Sequence, residues 1–126
     1  MVERLAMVVA CLLGAGPGFT QTMNADEARH FVVGKLFAFN CYNGSRGIGR
    51  MHEDGSVIGT IQFGGSGPGR SMWMPAGTFW VKGEMVCASL KGMLFDPCFN
   101  LTRTSDHSFR GAISGMSFAY CDFTAA

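Results

Sequence analysis

The sequence predicts a mainly β protein: a short N-terminal helix, then an antiparallel meander of about eight to nine strands curled into a small barrel. Three observations predict it. The chain has 126 residues, a length that suits one domain. From residue 35 onward apolar residues recur with period two rather than at helical spacing. Breaks such as Asn43-Gly44 and Asp54-Gly55 interrupt that alternation at short intervals, as hairpin turns do. Composition removes other classes. With 48% hydrophobic residues, 15% charged residues and a net charge of +1, the chain is neither disordered nor a binder of nucleic acid through bulk positive charge.

The elements follow in order. Arg4, the apolar run Leu5 to Leu13 and the small or polar residues from Gly14 to Thr22 have the order of a secretory signal peptide. The run is far short of the ~20 residues that span a bilayer, so no transmembrane segment is expected. We therefore divide the chain into a leader, 1–22, and a single barrel domain, 23–126, with cleavage between Gly18 and Met23. Val8-Val9-Ala10-Cys11 resembles a lipobox, but Leu12-Leu13 prolong the apolar run beyond the cysteine, which favours simple secretion over lipidation. Asn24 and Glu27 have capping-box spacing, and Ala28, Phe31 and Val32 recur at helical spacing before Gly34, so a helix is expected over 25–33.

Strands are then expected near 35–41, 46–52, 56–63, 70–75, 78–82, 85–90, 97–103, 108–113 and 116–123. Tight turns between consecutive strands imply antiparallel neighbours, because parallel pairs need long crossovers. Curling buries one face, and closure removes exposed edges. Alternation groups Phe37, Phe39 and Cys41 on one face. It does the same for Val57, Ile61 and Phe63, and for Ala119, Cys121 and Phe123.

Removal of the leader takes Cys11 and leaves Cys41, Cys87, Cys98 and Cys121. Four cysteines in a small exported domain read as two disulfides. None of them shows the short paired spacing of a zinc site.

Several segments together carry a resemblance: Val33-Gly34-Lys35, the turn His52-Glu53-Asp54-Gly55, Gly77-Thr78-Phe79-Trp80-Val81, Val86-Cys87, Pro97-Cys98-Phe99 and Phe109-Arg110-Gly111. The region 24–123 resembles small exported bacterial proteins of uncharacterised function that have a lipocalin-like (calycin-type) meander β-barrel. The resemblance implies the barrel and a Cys87–Cys98 hairpin, and it implies no catalytic residues. The faces agree with that bridge, because Cys87 lies with Ser89, and Cys98 with Asn100 and Thr102. Cys41 and Cys121 lie on apolar faces, and a bridge there would tie the first strand to the last.

Candidate sites are few. His30, His52 and His107 have no nucleophile motif near them. Gly64 to Gly69 lacks the Gly-Lys-Ser/Thr of a phosphate loop and reads as a hairpin loop suited to binding. Arg70 and Trp73 at its border are the candidate binding residues, since both types are frequent anchors. Met72 and Met74, with His52, offer a copper(I) reading; filling of irregular core gaps is the simpler role for the two methionines. Phe37, Phe39, Phe63, Phe99, Phe118 and Trp80 are expected to compete for the interior of so small a barrel.

The expected function is therefore that of a non-enzymatic binding or inhibitor module of the cell envelope, periplasmic or secreted. Its partner would be an envelope protein or wall component, and no cofactor is needed. The alternatives are a carrier of a small apolar ligand inside the barrel and, behind it, a copper(I)-binding protein.

Overall fold

The computed structural model describes residues 21–126. The expected leader falls almost wholly outside the described residues. Its last two positions do not: Gln21 and Thr22 lie in a short strand, β1 (Gln21–Met23), that the alternation did not reveal. Helix α1 (Ala25–Val32) follows, closed at its start by the expected capping box. Asn24 Oδ1 accepts from the Glu27 N–H at 2.8 Å, and Glu27 Oε1 accepts from the Asn24 N–H at 3.0 Å.

Nine further strands complete the chain: β2 (Leu36–Cys41), β3 (Arg46–Met51), β4 (Val57–Gln62), β5 (Arg70–Met74), β6 (Phe79–Lys82), β7 (Met85–Ala88), β8 (Cys98–Arg103), β9 (Ser108–Ile113) and β10 (Met116–Ala125). They form one antiparallel sheet in the order β5-β4-β3-β2-β10-β9-β8-β7-β6. The first long strand thus pairs with the last, with Cys41 opposite Cys121 and Phe39 opposite Phe123. β1 pairs with β8 through residues 101–103, on the part of that strand that β7 leaves open.

The sheet is a curled half-barrel whose two edges, β5 and β6, are consecutive in the chain but do not pair. A hairpin at Ala76-Gly77 was expected, and direction explains why none forms. Every ladder between β5 and β6 in the sheet order is antiparallel, and there is an even number of them, so the two strands point the same way. Side by side they would need a long crossover. Only residues 75–78 join them, tightened by a turn in which the Thr78 N–H donates to the Pro75 carbonyl at 3.1 Å. They therefore follow one another as a single interrupted strand, the first half bonded to β4 and the second to β7.

The core lies under α1. Met23, Ala28, Phe37 and Phe109 are buried there, with Phe31, Val32, Leu101, Phe123 and Ala125 packed against them. The Phe109 ring stacks on Phe123 at 4.5 Å and meets Phe37 edge-on at 5.4 Å. Three of the aromatic residues expected inside are elsewhere. Phe63 lies past the end of β4 in a short 3₁₀ turn (Phe63–Gly65) and is exposed. Phe118 shares the outer face of β10 with Tyr120, opposite Ala119 and Cys121, and is exposed too. Trp80 stands directly across from Cys87, on the face away from Val86 and Phe99, and its indole N–H donates to Ser89 Oγ.

Both disulfides join residues directly opposite one another on neighbouring strands. Cys41–Cys121 and Cys87–Cys98 each have a Cα separation of 3.9 Å.

Candidate binding end

Register fixes which connections share an end of the half-barrel. β2 ends where β3 begins, and Arg46 at that point faces Gln62 at the end of β4. The β2–β3 turn (42–45) and the β4–β5 loop (63–69) therefore emerge together. They are joined at Ser45, which is buried: its Oγ accepts from the Gly64 N–H at 3.0 Å. Gly44 makes the junction possible, because its φ is +86° and a β-carbon there would press on the Gly64 backbone. Tyr42 lies edge-on to Phe118 at 6.0 Å, which brings the β9–β10 turn to the same end. That turn touches the next connection, since the Ser114 N–H donates to the Cys98 carbonyl at 2.8 Å, at the foot of the β7–β8 loop (89–97). The remaining turns, at 52–56, 83–84 and 104–107, face the other end together with α1; the Ala25 N–H donates to the Glu84 carbonyl there.

The two ends differ in chemistry. At the loop end Tyr42, Phe63, Met93, Leu94, Phe95 and Phe118 are all exposed. Leu94 has no cover at all, at the tip of a loop whose base is held by the Cys87–Cys98 bridge and the buried Pro97. The charged residues at this end are Arg46, Arg70, Lys91 and Asp96, and no ion pair among the described residues engages the three cations. The helix end carries Asp26, Glu27, Glu53, Asp54, Glu84 and Asp106 among its cations. On the wall between the ends, Arg110 forms two bonds to the Asp122 carboxylate, at 2.7 and 2.9 Å, and lies 3.8 Å over the Tyr120 ring. The Asp122 carboxylate raises the Arg110 pKa, and that pair neutralises itself.

The candidates read from sequence are separated. Arg70 opens β5 at the loop end, beside an open cleft of about 370 Å³ whose lining includes Asn40, Arg46, Gln62 and Gly69. Trp73 lies on the outer face of β5, exposed, with Ile58 across from it on β4 and also exposed. Arg70 and Trp73 therefore do not form one anchor. Met72 and Met74 are half-buried and share the inner face, while His52 is exposed at the start of the β3–β4 turn. Among the described residues no cluster of three or more His, Cys, Asp or Glu residues could hold a metal. His30 is on α1 and His107 in the β8–β9 turn, both exposed.

The residues missed by sequence reasoning are Met93, Leu94 and Phe95. Their signal was an apolar triplet set between the turn residues Lys91-Gly92 and Asp96-Pro97, with no alternation to place it on a strand face. The glycines of β3 and β4 let these paired strands approach closely. A β-carbon on Gly47 would lie 2.7 Å from Phe39 Cζ, and one on Gly59 would collide with the Ile48 carbonyl. Among the described residues no helix is long and apolar enough to cross a membrane. No family model matches the chain, and comparison with curated proteins and with solved structures finds no match.

Proposed function

We propose that the chain is a non-enzymatic binding module, exported from the cytoplasm, that meets its partner with the loop end of a lipocalin-like half-barrel. The observation that carries this reading is the gathering of exposed apolar side chains from three separate connections and the start of β10 at one end, while α1 covers the other. Exposed apolar patches of that kind mark contact surfaces. Two disulfides suit an oxidising compartment and so support export. The carrier reading is weaker, because aromatic side chains fill the interior beneath α1 and the cleft beside Arg70 is open rather than enclosed.

The test is capture from an envelope fraction, with the native chain compared to Leu94→Ser/Phe95→Ser and to Trp73→Ala. Loss of capture in the loop variant alone supports the loop end. Loss only with Trp73→Ala moves the contact to the outer wall. Unchanged capture in both variants removes the reading, and a stoichiometric apolar ligand in native mass spectra favours the carrier.

A further inference from the structure

We propose that the partner of the loop end is the surface of an anionic phospholipid bilayer, which the Met93-Leu94-Phe95 tip enters while Arg46, Arg70 and Lys91 lie against the headgroups. This rests on the binding-end reading above and specifies its partner. Three features favour a lipid surface over a folded protein. The first is shape: Leu94, wholly exposed between exposed Met93 and Phe95, forms a projecting point rather than a face. A point gains little on a flat protein surface, but it enters the acyl boundary of a bilayer without a matching pocket.

The second is the companion set at the same end. Tyr42 and Phe63 are exposed aromatic residues from two other connections, and Phe118 is exposed near the start of β10. Aromatic side chains favour the headgroup level, so they would rim an inserted tip. The third is charge. Arg46, Arg70 and Lys91 outnumber Asp96 at this end, whereas the six carboxylates at the other end are nearly balanced by Arg29, Lys35, Arg50, Lys82 and Arg103. The excess of positive charge therefore sits at the loop end, and an anionic surface attracts that end first. The Cys87–Cys98 bridge at the base of the tip limits the backbone freedom lost on insertion.

The experiment uses the full chain, both disulfides formed, with vesicles of phosphatidylcholine alone and of phosphatidylcholine mixed with phosphatidylglycerol. Every variant keeps residues 1–20, so any contribution of that segment cancels in the comparison. Native protein is expected to co-sediment with the mixed vesicles more than with the neutral ones, and to be released as salt rises. Leu94→Ser/Phe95→Ser should weaken partitioning at least about tenfold on either vesicle, from the apolar area withdrawn. Lys91→Gln/Arg70→Gln should narrow the difference between the two vesicles. Equal binding of native and tip variant overturns the proposal, as does equal binding of native protein to the two vesicles. If vesicles are not bound but capture of an envelope protein still requires Leu94 and Phe95, the lipid proposal falls and the binding-end reading stands. If neither vesicles nor any captured component depends on the tip, both fall.

Discussion

The two disulfides should contribute unequally, and the structure says by how much. Cys41–Cys121 closes a sequence separation of 80 residues and Cys87–Cys98 one of 11. If a cross-link acts by restricting the unfolded chain, the larger loop contributes about 4.5 kcal/mol and the smaller about 2.8 kcal/mol. The difference, about 1.7 kcal/mol, follows from loop length alone. A direct comparison of cysteine deletions would blur it, because Cys87 is wholly buried and its truncation also opens a void. The perturbation is therefore reduction within a background that retains one bridge. Cys87→Ala/Cys98→Ala isolates the long bridge, and Cys41→Ala/Cys121→Ala the short one. Each is unfolded in urea with and without a thiol reductant, and the free energies are extrapolated to water. The same sulfur atoms are present on both sides of each comparison, so packing is held nearly constant. Reduction is expected to cost the first background more than the second. A domain stable by about 5–15 kcal/mol would lose a large share of that with the long bridge. Equal losses, or a greater loss from the short bridge, would refute the chain-restriction argument for this fold.

Two further outcomes follow from single sites. Phe109→Ala should lower stability by about 3–5 kcal/mol in the same assay, because the ring is buried and stacked on Phe123 and also touches Phe37 and Phe31; a loss below one kcal/mol would move the core elsewhere. The Ser56 hydroxyl and N–H both donate to Asp54 Oδ1, at 2.6 and 2.9 Å, and hold the Asp54 carboxyl below its ordinary range. The unfolded chain thus takes up that proton first as pH falls, so this turn's contribution is complete above the ordinary carboxylate pKa and fades as pH drops through the lowered one. Carboxyl-detected NMR titration should show the Asp54 pKa rising in Ser56→Ala, and an unmoved midpoint would assign the shift to another cause.

Much of the wall was legible in the sequence because local rules governed it. The Asn24/Glu27 box, the turn at Asp54-Gly55 and the alternation through Phe37, Phe39 and Cys41 each depend on neighbours in the chain. Three features were not legible, each for a physical reason. β1 is three residues long and exists only because β7 leaves part of β8 unpaired. The break at Pro75–Thr78 looks like a hairpin turn locally, and only the direction count around the whole sheet shows otherwise. Phe63 and Met93 to Phe95 were hydrophobic by type, but a residue's burial is decided by what lies across from it, and nothing lies across from a loop tip. The sequence therefore points to glycines with Arg70 and Trp73, whereas most of the exposed apolar surface at the loop end comes from segments far apart in the chain.

The pairing of β2 with β10 also governs the order of events during synthesis. β2 leaves the ribosome well before the part of β10 that pairs with it, so β2 keeps a bare edge while the strands between them are made. Its partner arrives only when Cys121 follows Cys41 by 80 residues. The hairpins β2–β3–β4 and β8–β9 can assemble from nearby chain, but the two halves stay unjoined until that final ladder forms. Such long-range closure places the domain among slow folders, with an open strand edge available for wrong pairing in the interval. A nascent chain stalled before residue 116 lacks all of β10 and cannot close the sheet, however complete its other strands. Under the export proposed above, that delay has a use: a chain that cannot close its sheet before β10 is made remains threadable while it crosses the membrane.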